Sequence, residues 1–164
     1  MDSNLIGAIN DLAAEKAKFK DKEKDLANKV LKALKNMMGN NPDVVAIRWN
    51  QYTPHFNDGD ACMFGVNDLD LKFREGLLKV EQDGNGDDDD FIYGWDIDDD
   101  WFEEKSDIMN HKDIRALKKT VTNLNDAFNV LKDSMEDSML NLFGDGVQVT
   151  VTATGVDVEE YAHD

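Results

Sequence analysis

Along residues 3–38 the apolar side chains recur at alternating steps of four and three. Leu5, Ile9, Leu12, Phe19, Leu26, Val30, Ala33 and Met37 form the stripe, Lys16 and Glu23 interrupt it, and Ile6, Leu31 and Leu34 widen it. That spacing predicts one long amphipathic helix. Asp2 or Ser3 stands where an N-cap belongs, and Gly39-Asn40-Asn41-Pro42 is a strong stop. A second stripe predicts a helix over residues 110–143: Ile114, Leu117, Val121, Leu124, Phe128, Leu131, Met135 and Leu142, broken only by Ser138. Asn110 with Asp113 resembles a capping arrangement, and Gly144 closes the far end. Two helices of similar length with heptad-like seams are expected to pack along each other, antiparallel. The alternative is that one of them also zips against another copy of the chain.

Between the helices the period falls to two. Val44 to Tyr52 is rich in β-branched and aromatic residues and reads as a strand ended by Thr53-Pro54. Asn57-Asp58-Gly59-Asp60 supplies the residue types that tolerate positive φ, so a turn is expected there. Cys62, Phe64 and Val66 alternate on a second strand, Leu69, Leu71 and Phe73 on a third, and Leu78 with Val80 suggests a fourth. Val147, Val149 and Val151, a turn at Thr154-Gly155, then Val156 and Val158 predict a terminal hairpin. Helix, antiparallel strands, helix and hairpin define an α+β fold, expected as one domain over residues 1–164 with an acidic, aromatic-rich loop at 83–104.

Charge adds one feature that the pattern does not show. The net charge is −17, yet residues 81–104 hold twelve acids and no Lys or Arg, and without them the chain stands at only −5. The first 39 residues carry eight lysines against six acids. The acidity is local. It disfavours direct contact with nucleic acid or anionic lipid and favours a basic partner or a cation. A single cysteine, Cys62, leaves no internal disulfide and fits a reducing cytoplasm. No apolar run approaches the roughly 18 residues that a membrane span needs, and the N-terminus lacks the pattern of a signal peptide.

Within the acidic stretch, Asp83, Asn85, Asp87 and Asp89 match the opening of a calcium loop. Asp88 and Gly94 then stand where that loop needs glycine and a bidentate glutamate. No metal or cofactor is therefore expected. Phe91, Ile92, Tyr93, Trp95, Ile97, Trp101 and Phe102 are interleaved with the acids. One reading is a carboxylate array of nucleic-acid-like density, anchored by those rings and offered to a basic protein groove. Its candidate contact residues are Asp87, Asp88, Asp89, Asp90, Tyr93, Trp95, Asp98, Asp99, Asp100 and Trp101. The plainer reading is a solvated loop whose rings tuck onto the protein's own core.

The run from Trp49 to Asp60 mixes aromatic, amide, hydroxyl, imidazole and carboxylate groups at a strand-to-turn junction. Such a mixture suits a pocket for a small polar ligand, with Gln51, Tyr52, His55, Asp58 and Asp60 as the candidates. A metal site from His55, Asp58, Asp60 and Cys62, completed by His163 and Asp164, is another alternative. The structural alternative is a turn that satisfies its own backbone while Trp49, Tyr52 and Phe56 enter the core. Trp49, Gln51 to Pro54 and Phe56 to Asp60, with Glu160, Tyr161, His163 and Asp164 at the end, also carry a resemblance. The pattern W-x-Q-Y-T-P-x-F-N-D-G-D with an E-Y-x-H-D tail resembles a family of uncharacterised bacteriophage proteins, over under a fifth of the chain. The resemblance implies a phage origin and a host cytoplasm, and it brings no catalytic or ligand residue with it.

No nucleophile elbow, phosphate loop, dinucleotide fingerprint or zinc-protease motif is present. The expectation is a non-enzymatic binding protein that engages a basic host protein through its acidic segment. The alternatives are a small-ligand or nucleotide-sequestering protein, or an assembly protein that uses its long helices.

Overall fold

The computed structural model describes residues 3–56, 58–75, 77, 91–94, 97, 99–104 and 111–162. It is an α+β fold in which helices cover one face of an antiparallel sheet. The elements in chain order are α1 (Ser3–Asn40), β1 (Val44–Tyr52), β2 (Gly65–Val66), β3 (Asp70–Phe73) and β4 (Phe91–Tyr93). They continue with α2 (Asp99–Glu104), α3 (His111–Ser134), α4 (Glu136–Phe143), β5 (Val147–Thr152) and β6 (Val156–Glu160). The strand order is β4-β3-β1-β5-β6, with β2 paired to the far end of β1. Every ladder among the described residues is antiparallel.

β1 is the spine of this sheet because its sequence suits burial on both sides. Ile47, Trp49 and Gln51 share one face by the two-residue period and lie at zero exposure under the helices. Arg48 points the other way, buried against Asp70 across the ladder and beneath the ring of Phe91, whose centroid lies 4.0 Å from its guanidinium carbon. A register irregularity between Val44 and Ala46 leaves Val45 exposed and returns Val44 to the core side. Trp49 then packs against Phe128 of α3 at 5.1 Å and Phe143 of α4 at 5.7 Å between ring centroids. Leu34, Met38, Leu71, Leu117, Leu124, Leu131, Met139, Val149 and Val151 complete the centre of the core.

Four expectations need correction. Only the C-terminal part of the α1 stripe meets the body: Val30 and Met37 are half-buried beside the buried Ala27, Leu31, Leu34 and Met38, while Leu5, Ile6, Ile9, Leu12, Phe19 and Leu26 are exposed. Every described side chain of α1 from Asn4 to Lys22 is exposed, so this half of the helix projects beyond the body. The second long helix is two, α3 and α4, divided at Met135, whose φ of −137° leaves helical geometry. That break lets Ser138 and Met139 turn inward over the end of β1. The strand expected from Cys62 to Val66 shrinks to Gly65–Val66, with Cys62 and Met63 exposed.

The segment expected as an acidic loop at 83–104 contains both β4 and α2. Phe91, Ile92 and Tyr93 are good strand formers and pair with Lys72, Leu71 and Asp70. Gly94 follows because only glycine fits: a Cβ there would stand 2.1 Å from the carbonyl oxygen of Leu69. The strand suggested by Leu78 and Val80 lies outside the described residues.

Candidate functional site

Tyr52 and Tyr161, distant in sequence, meet in space. The hairpin of β5 and β6 brings Tyr161 beside the end of β1, where its ring centroid lies 5.7 Å from that of Tyr52. The Tyr161 backbone N–H donates to the Gly146 carbonyl at 2.8 Å and fixes the tail in place. Between them opens a cleft of about 270 Å3 lined by Tyr52, Thr53, Pro54, His55, Asp145, Gly146 and Tyr161. Asp145 joins the two sides. One carboxylate oxygen accepts from the Thr53 backbone N–H and the other from the Thr53 hydroxyl, both at 2.7 Å. The Thr53 hydroxyl, above all, holds the Asp145 carboxyl below its ordinary range, with help from backbone N–H groups and the nearby His55.

This geometry redistributes the ligand candidates. Gln51 does not face the cleft. It is fully buried, accepts from Trp49 Nε1 at 3.1 Å, and donates through Nε2 to the carbonyls of Met139 at 3.0 Å and Gly144 at 2.6 Å. Its amide ties β1 to the middle of α4 and to the residue that caps its C-terminus, a structural duty that leaves nothing for a ligand. Tyr52 and His55 do line the cleft, whereas Asp58 and Asp60 do not. They belong to the expected turn, where Asp58 has φ +33° and Gly59 φ +94°. Phe56 stays out of the core at 78% exposure. Among the described residues no group of three His, Cys, Asp or Glu side chains is placed to hold a metal ion. Asp145 escaped the sequence reading, although its place between Gly144 and Gly146 marks a constrained turn.

Of the acidic-segment candidates, Asp87, Asp88, Asp89, Asp90, Trp95 and Asp98 lie outside the described residues, and of Asp99 only the backbone is described. Trp101 is half-buried and stacks on Phe73, with ring centroids 5.9 Å apart at 27°. It anchors α2 to the body while Asp100 and Glu104 remain exposed. Tyr93 is 54% exposed and lines a second, polar cleft of about 360 Å3 with Asn50, Val66, Asn67, Asp68, Asp70 and Lys132. Lys132 closes one wall through an ion pair with Asp68 at 2.5 Å.

The most unusual surface is the projecting half of α1. Leu5, Ile9, Leu12, Phe19 and Leu26 fall on one seam and expose 53, 52, 73, 64 and 52% of their areas. From Asn4 to Leu26 the helix extends for about 34 Å at 1.5 Å per residue. No helix among the described residues is long and apolar enough to cross a membrane, so this seam does not mark a span. Comparison with protein-family models, curated proteins and solved structures finds no match to the chain.

Proposed function

We propose that this chain is a non-enzymatic protein-binding module whose principal working surface is the projecting half of α1. The observation that carries the reading is the exposed heptad seam of Leu5, Ile9, Leu12, Phe19 and Leu26. Full burial of a Leu, Ile or Phe side chain contributes roughly 1.5–3 kcal/mol, so covering five that are half to three-quarters exposed contributes roughly 4–9 kcal/mol from this helix alone. That is comparable with the estimated 4–15 kcal/mol cost of association. Helices in proteins draw most of their stability from packing of an apolar face, so a partner along the seam stabilises the projecting half. In cells producing the full chain, a photo-crosslinking phenylalanine analogue in place of Phe19 should trap a protein. The same analogue at exposed Val130 of α3 serves as the control. If position 19 yields no more adduct with any protein, itself included, than position 130, the reading is lost.

A second contact is supported by the stacking of Trp101 on Phe73. The stack fixes α2 to the body, so the exposed Asp100 and Glu104 stand on an anchored element within the acidic segment. This favours an acidic surface offered to a basic protein. If the chain is phage-encoded, as its motif suggests, that partner is a host nucleic-acid-handling or defence protein in the cytoplasm. Replacing Asp100 and Glu104 with Asn and Gln should weaken capture of such a partner and flatten its salt dependence. Unchanged capture across salt concentrations removes this contact.

A further inference from the structure

The seam on α1 has the spacing of a coiled coil, and the body uses only its C-terminal end, where Val30 packs beside the core. Written as heptads, its d positions are Leu5, Leu12, Phe19 and Leu26, and its a positions are Ile9, Lys16, Glu23 and Val30. The body instead takes the adjoining face of Ala27, Leu31, Leu34 and Met38. A strict 3.5-residue repeat suits a second helix wound around the first better than a flat sheet.

We infer that two copies of this chain pair through α1 as an antiparallel coiled coil, with Lys16 of each meeting Glu23 of the other. The inference rests on the binding role proposed for α1 and names its occupant. Charge selects the orientation. A parallel, in-register pair sets Lys16 against the partner's Lys16 and Glu23 against the partner's Glu23 in the apolar seam. Antiparallel pairs place a positions opposite d positions. The register that sets Lys16 opposite the partner's Phe19 also sets Ile9 opposite the partner's Leu26 and Leu12 opposite the partner's Glu23. Lys16 then lies one layer from the partner's Glu23, within reach of its flexible side chain. The same register brings the flanking Glu15 beside the partner's Lys22. A shift of one heptad toward the N-terminus opposes Glu15 to the partner's Glu15, and the reverse shift opposes Lys22 to the partner's Lys22.

Long-range charge agrees. The first 39 residues carry two more lysines than acids, so the remainder of the chain bears a net charge of −19. Antiparallel pairing sends the two acidic bodies to opposite ends of a shared helix about 35 Å long. That separation is several times the screening length of about 8 Å in physiological salt. Parallel pairing would set the bodies side by side.

Sedimentation equilibrium on the full chain and three variants tests the arrangement, because Lys16 and Glu23 lie outside the buried core and circular dichroism checks that the body folds. The wild type should sediment as a dimer. Lys16→Glu and Glu23→Lys, each creating two symmetry-related like-charge contacts, should weaken the dimer by at least about tenfold. The double swap Lys16→Glu/Glu23→Lys should return it to near the wild-type constant. A wild type that stays monomeric overturns the inference. So does a dimer that either single swap leaves unchanged, as a parallel pair would be, or that the double swap fails to restore. A monomer whose position 19 still crosslinks to a different protein refutes self-pairing but keeps the binding role, whereas a monomer without adducts refutes both.

Discussion

Gln51→Met keeps the length of a buried side chain while removing every hydrogen bond it makes. Trp49 Nε1 loses its acceptor, and the carbonyls of Met139 and Gly144 lose the amide that lies 3.0 and 2.6 Å away. Each buried polar group left without a partner costs about 1–3 kcal/mol. The Met139 carbonyl lies within α4 and the Gly144 carbonyl is half-buried, so neither is stranded completely. The expected loss is therefore about 3–5 kcal/mol in all. Against a typical total stability of 5–15 kcal/mol, such a loss brings the domain close to unfolding. Urea denaturation followed by tryptophan fluorescence and far-ultraviolet circular dichroism measures it directly. The midpoint should fall sharply with little change in slope, because the same surface is exposed on unfolding. A loss below about 1 kcal/mol would refute the assignment of Gln51 as the tie between β1 and α4.

Other perturbations probe separate parts of the structure. Gly94→Ala forces a methyl group toward the Leu69 carbonyl, 2.1 Å from the ideal Cβ position, and should lower the melting temperature while loosening hydrogen-exchange protection of β4. Leu34→Ala, at a fully buried site, should cost about 2–5 kcal/mol, whereas Leu12→Ala on the projecting seam should leave the body within about 0.5 kcal/mol under dilute, monomeric conditions. Equal melting losses from the two would contradict the division of α1 into packed and projecting halves. The Asp145 carboxyl should titrate below the usual aspartate range by NMR and move back up in Thr53→Val. Because its folded pKa is depressed, its stabilisation is complete above the unfolded value and fades as pH falls through the folded one. Thr53→Val should thus be less stable than wild type at neutral pH, with the gap closing in acid; a gap independent of pH would contradict the Thr53–Asp145 link.

Much of this fold could be read from periodicity, and the failures share one cause. The apolar period found α1 to within two residues of its end, and β-branched content found β1 with its observed bounds. Glycine and aspartate chemistry found the turn at Asp58-Gly59, where both residues have positive φ. What periodicity cannot settle is which of two adjoining apolar stripes another element will cover. Leu26, Val30, Ala33 and Met37 sit one residue, about 100°, from Ala27, Leu31, Leu34 and Met38, and only the position of the sheet decides between them. The break at Met135 carries neither proline nor glycine, so no local signal announced it. Gln51 is a different kind of miss. It shares strand parity with Ile47 and Trp49, and that parity already placed its amide in the core.

β6 lies outermost in the strand order, and all five of its residues are exposed. Among the described residues no strand pairs with its outer edge, so a row of backbone donors and acceptors is open to a foreign strand. Asp157, Glu159 and Glu160 guard it, since a second copy docking there would press carboxylate against carboxylate. That guard is only as good as its three carboxylates. Exchanging them for amides removes the repulsion while Val156 and Val158 remain, turning a guarded border into a template for sheet-to-sheet growth.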